Sequence, residues 1–174
     1  LHDERNRFVQ TIDALSTTNK YTYDQKNNRM SVTDKRENIT EYTYDSSGNV
    51  LKKIDALKNV TSITYDSNDN PVTREDVLKN VTAFEYDANC NLIKTTNALN
   101  NFTTMTYNAY GQPQSVIDYK GNTTNYNYDA EGNLVSVTDP LDNTIIYTYD
   151  DVGRRRTRTD ALDRITKYSY DNND

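Results

Sequence analysis

Aspartate is the residue of this chain with the most chemistry to offer, because it recurs beside tyrosine at a fixed phase. Tyrosine stands at eight positions spaced 21 residues apart, namely Tyr23, Tyr44, Tyr65, Tyr86, Tyr107, Tyr128, Tyr149 and Tyr170. An aspartate follows each of them except Tyr107, which precedes Asn108. Clustered carboxylates could act as paired acids or bind calcium. Their regular placement where turns begin favours another role, in which the aspartate side chain caps the turn backbone.

Other reactive groups are few. His2 is the only histidine, which argues against a histidine-dependent triad or a zinc site. Cys90 is the only cysteine, so the chain forms no internal disulfide. The arginines within 154–158 form a basic spot, which we interpret as a solvated strand. We therefore expect no catalytic, cofactor-binding or metal-binding residues, no cofactor and no enzymatic activity.

Asparagine offers one kind of modification site. The sequence N-x-T, which accepts N-linked glycans in a suitable secretory pathway, begins at Asn38, Asn59, Asn80, Asn101 and Asn122. The simpler interpretation is that asparagine ends a turn and threonine begins a strand, and we favour it.

Charge and hydropathy exclude two classes of partner. The net charge of −6 argues against a nucleic-acid partner. No run of 18 apolar residues exists, so we expect no membrane span.

The unbroken spacing predicts a repeat protein, because an array without insertions or deletions stacks one structural unit on copies of itself. In the unit that runs from Tyr128 to Tyr149, two β-favouring runs, 134–138 and 144–149, alternate with two polar segments. This pattern is typical of antiparallel strands joined by short turns. We predict a single array of about eight repeats over residues 1–174, with units ending near the eight tyrosines, as part of a longer repeat region.

The first turn of each unit follows the tyrosine. Its fourth residue should have a positive φ, which glycine adopts most easily and which asparagine or aspartate tolerates. The chain places Gly48, Gly111, Gly132 and Gly153 there, with Asn27 and Asp69 as substitutes. Cys90 is the misfit, for which we expect local strain or a different turn.

The second turn most often reads Asp-x-Leu-x-Asn. Its leucines stand at 15, 57, 78, 99, 141 and 162. An apolar side chain in a turn is expected where the turn contacts a neighbouring element, so we predict that these leucines pack against adjacent hairpins.

Residues two apart in a strand share a face. Tyr42 and Tyr44 therefore point the same way, as do the equivalent pairs in later units, which gives two aromatic columns that we expect to be held by packing. Eight units give about sixteen strands, more than open sheets carry without curling. We predict an all-β fold in which tandem 21-residue β-hairpins form a curved, spiralling antiparallel sheet.

The repeat resembles a known family. The segment Tyr42-Thr43-Tyr44-Asp45-Ser46-Ser47-Gly48-Asn49 is similar to the YD repeat of Rhs-type proteins. That family includes toxin-shell proteins, wall-associated proteins and teneurins, and the resemblance implies a spiralling sheet that often closes into a hollow shell around a toxic C-terminal polypeptide. The chain departs from the family in its turns: only Gly153-Arg154 keeps the arginine after glycine, and only Asp139-Pro140 keeps the proline.

The resemblance implies a non-catalytic structural segment of a large secreted or surface-displayed protein, which forms part of a β-shell or scaffold wall. Two alternatives stay open: an extracellular filament built from continuous repeats, and a cell-surface module that binds glycans. The expected partners are neighbouring repeats of the same or an identical chain, with an enclosed polypeptide cargo or surface glycans as further candidates. The expected location is extracellular or at the cell surface.

Overall fold

The computed structural model describes residues 1–13 and 18–171. Every strand lies where the repeat predicts one, and the described residues contain no helix. The strands are β1 (Gln10–Ile12), β2 (Thr18–Tyr23), β3 (Arg29–Thr33), β4 (Ile39–Tyr44), β5 (Val50–Ile54), β6 (Val60–Tyr65), β7 (Pro71–Glu75), β8 (Val81–Tyr86), β9 (Leu92–Thr96), β10 (Phe102–Tyr107), β11 (Pro113–Ile117), β12 (Thr123–Tyr128), β13 (Leu134–Thr138), β14 (Thr144–Tyr149), β15 (Arg155–Thr159) and β16 (Ile165–Lys167).

The strands follow one another in chain order in a 16-stranded sheet, and each pair with a described register is antiparallel. The predicted all-β array of hairpins is therefore confirmed. The chain divides into two compact units, the first comprising Leu1–Glu85 with Asn97–Leu99 and the second comprising Tyr86–Thr96 with Asn100–Asp174.

The predicted first turn is also confirmed. Its fourth residue has a positive φ throughout, from +63° at Asp69 to +95° at Gly48. Cys90, the misfit, adopts φ +63° like the others, so this unit turns in the same way and accepts the strain of a side chain in the left-handed region.

The second turn repeats this geometry, although only the first turn was predicted to contain a positive φ. Its fourth residue again has a positive φ, for example +64° at Lys58 and +84° at Gly121. The signal was present, because in both turns aspartate and asparagine most often stand four residues apart. One type of turn thus closes both ends of each hairpin unit.

A β-bulge distinguishes the two kinds of hairpin. Across the first turn, the register shifts by one residue beside the tyrosine, as between Thr22 and Tyr23 and again between Thr148 and Tyr149. The hairpins closed by the second turn have no such shift, for example β3 with β4. Because 21 is odd and side chains alternate between faces with a period of two, equivalent residues keep the same face only if each unit contains one extra residue. The bulge supplies that residue.

No described residue is buried. The column tyrosines are partly buried, apart from Tyr168 and Tyr170, which are exposed. The expectation that packing holds these columns stays a prediction. The leucines of the second turns are fully exposed, with Leu57 at 82% and Leu141 at 81%. The prediction that these leucines pack against adjacent hairpins is therefore wrong, apart from Leu15, which lies outside the described residues.

Residues 1–13 and 18–171 include no helix with the length and apolar character needed to cross a membrane.

The turn geometry predicts opposite effects of two substitutions. Cys90→Gly should stabilise the protein by up to ~1 kcal/mol, because a left-handed side chain costs about 1–2 kcal/mol while added chain entropy offsets about 0.4–1 kcal/mol. Gly121→Ala should destabilise by ~1 kcal/mol. A Cβ at Gly121 would meet no atom within 4 Å, so only its φ of +84° opposes alanine. Urea denaturation measures both, and a less stable Cys90→Gly protein would contradict this account.

Candidate functional site: the tyrosine and aspartate turns

The aspartate at the start of each turn organises the turn through three hydrogen bonds. In the turn that begins at Asp45, Oδ1 accepts the backbone N–H groups of Ser47 and Asn49, each at 2.9 Å. Oδ2 accepts the side-chain amide of Asn49 at 3.1 Å. The Asp45 N–H donates to the Asn49 carbonyl at 3.0 Å, which closes the turn. The carboxylate is therefore occupied as a cap, as its placement in the sequence predicts.

The second turn uses the same bonds. Asp55 Oδ1 accepts the N–H groups of Leu57 and Asn59, and Oδ2 accepts the Asn59 amide at 2.9 Å. Arginine replaces asparagine in two turns, where Arg154 Nε donates to Asp150 Oδ2 and Arg164 Nε donates to Asp160 Oδ2, both at 2.8 Å. Any donor that reaches back four residues thus completes the cap.

A neutral version of the cap occurs where the pattern breaks. Asn108 Oδ1 accepts the N–H groups of Tyr110 and Gln112, while its Nδ2 donates to Gln112 Oε1 at 2.9 Å. The Gln112 amide then donates to the Gly132 carbonyl at 2.7 Å. Asn108 therefore keeps the turn bonds without a negative charge.

These bonds lower the pKa of the turn aspartates. For Asp76, the side-chain hydrogen bond from Asn80 is the largest cause, and the Asn80 N–H adds to it, so the pKa lies below the usual 3.8. A side-chain hydrogen bond from the residue four positions later is likewise the largest cause at Asp34, Asp55, Asp66, Asp87, Asp118, Asp129, Asp139 and Asp160. A catalytic acid at neutral pH needs a raised carboxyl pKa, and these shifts run the other way.

In most units, the tyrosine that ends the unit bonds to the hairpin before it. Tyr44 Oη donates to the Arg29 carbonyl at 2.7 Å. The β3–β4 ladder is paired only as far as Ser31 with Glu41, so the Arg29 carbonyl lies two residues beyond it and receives the hydroxyl in place of a ladder N–H. The same bond, to the carbonyl 15 residues earlier, is made by Tyr23, Tyr65, Tyr107, Tyr149 and Tyr170. The hydroxyl, rather than the ring alone, explains why this position is tyrosine.

Successive first turns also touch one another. Lys26 Nζ donates to the Ser46 carbonyl, and Asn49 Nδ2 donates to Asp69 Oδ1, each at 2.7 Å and across 20 residues. The predicted site residue Gly48 lies against the previous unit, because a Cβ there would come within 3.4 Å of Asn28 Oδ1. Asp69 and Cys90 occupy the equivalent position with side chains, so the positive φ of +95°, and not the contact, favours glycine at position 48.

The two faces of the sheet differ in chemistry. One face carries the tyrosine columns, over which arginines lie, such as Arg29 at 5.5 Å from the Tyr42 ring and Arg155 at 4.6 Å from the Tyr147 ring. The other face carries hydroxyl pairs across the bulged hairpins, such as Thr64 with Thr73 at 2.6 Å. Both sets of groups are engaged within the sheet.

The remaining candidate residues fit structural roles. The sequon amides of Asn38, Asn59, Asn80 and Asn122 donate to the aspartate four residues earlier, and Asn101 stands at the equivalent turn position. The His2 ring lies 4.2 Å from that of Phe8, and Cys90 is exposed. Among the residues that the structure describes, no three histidine, cysteine or acidic side chains are grouped so as to hold a metal ion.

The hairpins, turns and period together define a tandem β-hairpin repeat protein. A family model described as Teneurin YD-shell matches residues 2–174, so the chain belongs to this family. The segment is therefore a structural, non-catalytic stretch of YD-shell repeats.

Solved structures share its fold at low sequence identity. The Tc holotoxin pore of Photorhabdus luminescens is similar with a TM-score of 0.69 and 18% identity over 83% of this chain and 9% of that one. TcdB2-TccC3 without its hypervariable C-terminal region is similar with a TM-score of 0.62 and 17% identity over 92% of this chain and 11% of that one. The chain thus spans about a tenth of the length of these proteins. The comparison with curated proteins gave no match.

The hydrogen bond of the Tyr149 hydroxyl predicts that Tyr149→Phe lowers the free energy of unfolding. Tyr149 Oη donates to the Leu134 carbonyl at 2.8 Å, and deletion of one such bond costs about 0.5–1.5 kcal/mol of unfolding free energy. Tyr147→Phe is the matched control, because it also removes a hydroxyl while the contact between the ring and Arg155 is kept. Chemical denaturation measures both variants, and equal effects would show that the ring alone matters.

The turn caps predict acid instability. Because the pKa values of the folded aspartates lie below 3.8, their stabilising contribution is full above that pH and is lost as pH falls through the lowered values. Urea midpoints should therefore be flat from pH 8 to about 5 and fall steeply below about 3.8. Loss centred between pH 5 and 6 would contradict this assignment.

Proposed function

We propose that this chain is a stretch of wall in a large secreted or surface-displayed protein whose repeats enclose a polypeptide. The observation that carries the proposal is the match of the YD-shell family over residues 2–174, with a period that is unbroken through all eight units. A wall needs continuous extension by one repeated bond pattern, and the turn caps and tyrosine hydroxyls supply it.

The lack of any buried described residue supports the same function. A catalytic domain needs an enclosed pocket with a few convergent polar groups, whereas here the aspartates and asparagines are used in the turns. One TccC3-containing structure is described as a Tc holotoxin pore, and another is described as lacking a hypervariable C-terminal region. By analogy, the polypeptide enclosed here would be a variable segment of the same protein.

The test uses the complete protein that contains this chain. Electron microscopy should show discrete hollow particles, and limited proteolysis should spare an internal polypeptide until the particle is denatured. Filaments with a constant rise per unit would support the alternative of an extracellular fibre and overturn the shell. Solid particles that bind a glycan array through surface tyrosines would support the adhesion alternative and overturn it as well.

A further inference from the structure

The second turns carry a row of leucines that nothing in the structure covers. Here the first and second units are the two compact units described above, not single repeats. In the first unit, the exposed fraction is 82% for Leu57, 77% for Leu78 and 79% for Leu99. In the second unit, Leu141 and Leu162 are 81% and 73% exposed. The residue before each leucine is also small or apolar, as Val77 and Pro140 show. One edge of the hairpins in each unit therefore presents apolar side chains to solvent.

Turn geometry does not require these leucines. The first turns make the same hydrogen bonds and reach the same positive φ, yet they place mostly polar residues at the equivalent position, such as Ser47, Asn68 and Glu131. Two second turns likewise use Arg36 and Lys120 there. The turn backbone makes its hydrogen bonds whether this side chain is polar or apolar, so the turn does not explain the leucines. Exposed apolar groups in a row are typical of an interaction surface.

The spacing fits a second row of the same kind. Consecutive second turns are separated by two strands, which places their leucines about 9.6 Å apart. A gap of that width accepts one aliphatic side chain between two others, since carbon atoms in contact lie about 4 Å apart. Two such rows can therefore interdigitate.

Charge identifies the partner. The residue after the leucine is Lys58 or Lys79 in two turns of the first unit, Asn100 after Leu99, and Asp142 or Asp163 in the second unit, and the four charged residues are exposed. All four also have a left-handed φ between +58° and +69°, so they extend from equivalent turn positions. The turns of Leu57 and Leu78 thus share their backbone geometry with the turns of Leu141 and Leu162 and carry the opposite charge beside the leucine.

We propose that this edge is a self-association surface. The leucines of the first unit of one copy pack against Leu141 and Leu162 of a second copy, and Lys58 and Lys79 face its Asp142 and Asp163. The lysines contact Glu41 at 3.5 Å and Glu75 at 2.7 Å within their own chain. Those pairs are largely exposed and exchange readily. The association is independent of whether the parent protein encloses a polypeptide.

Sedimentation equilibrium of the 174-residue chain tests the apolar part. The unaltered chain should associate reversibly, and Leu141→Ser/Leu162→Ser should weaken association by at least ~tenfold, as expected when buried leucines are lost. The matched control is Val152→Ser, which removes an apolar side chain that is 74% exposed at the tip of a first turn. Circular dichroism should show that all variants fold. A chain that stays monomeric, or a control that weakens association equally, would overturn the proposal.

A charge exchange tests the polar part. Asp142→Lys/Asp163→Lys should weaken association by ~tenfold or more, and adding Lys58→Asp/Lys79→Asp should restore it. The chain already holds both residue types at this turn position, so the exchange adds no new backbone strain. Failure of the fourfold variant to associate would overturn the proposed pairing of the two edges.

Discussion

Hydrogen bonds of the strand ladders, completed by bonds between backbone and side chain, hold this protein together, because no described residue is buried deeply enough for a hydrophobic core to do so. Hydrogen bonds of the ladders join the strands, but the ladders are interrupted at the bulges and end at the turns. At those points the aspartate carboxylates take up the turn N–H groups, and the tyrosine hydroxyls take up carbonyls beyond the ladder. A typical bond of this kind contributes about 0.5–1.5 kcal/mol of unfolding free energy, and the repeat makes similar bonds along the array.

The period follows from the same constraint. Two turns of one type would give an even repeat, and a residue 21 positions later would then face the opposite side of the sheet. The bulge beside each tyrosine corrects this, as the shift between Thr43 and Tyr44 shows. The 21-residue period and the bulge beside the tyrosine are therefore linked, because the odd period requires the extra residue. Such a period fits a wall that is extended by adding identical repeats.

Local physics explains why much of the fold could be predicted from the sequence. Strand alternation and the positive φ at Gly48 or Asn27 depend on neighbours a few residues away, and the structure confirms them. The bond from Tyr149 to the Leu134 carbonyl spans 15 residues, so the local patterns of turns and strands do not indicate it. The prediction that the turn leucines pack against adjacent hairpins was wrong because the exposure of a side chain depends on what surrounds the turn in the folded sheet. The residues of the turn itself do not indicate those surroundings.

The heat capacity change of unfolding reports the apolar surface that folding removes from water, so it shows whether hydrogen bonds or an apolar core hold this sheet together. A globular domain of 174 residues would show about 2.1–2.6 kcal/mol/K, from about 12–15 cal/mol/K per residue. A sheet held by hydrogen bonds without a core should give a value well below this range in differential scanning calorimetry. A value within the range would contradict the account, because it would require an apolar core.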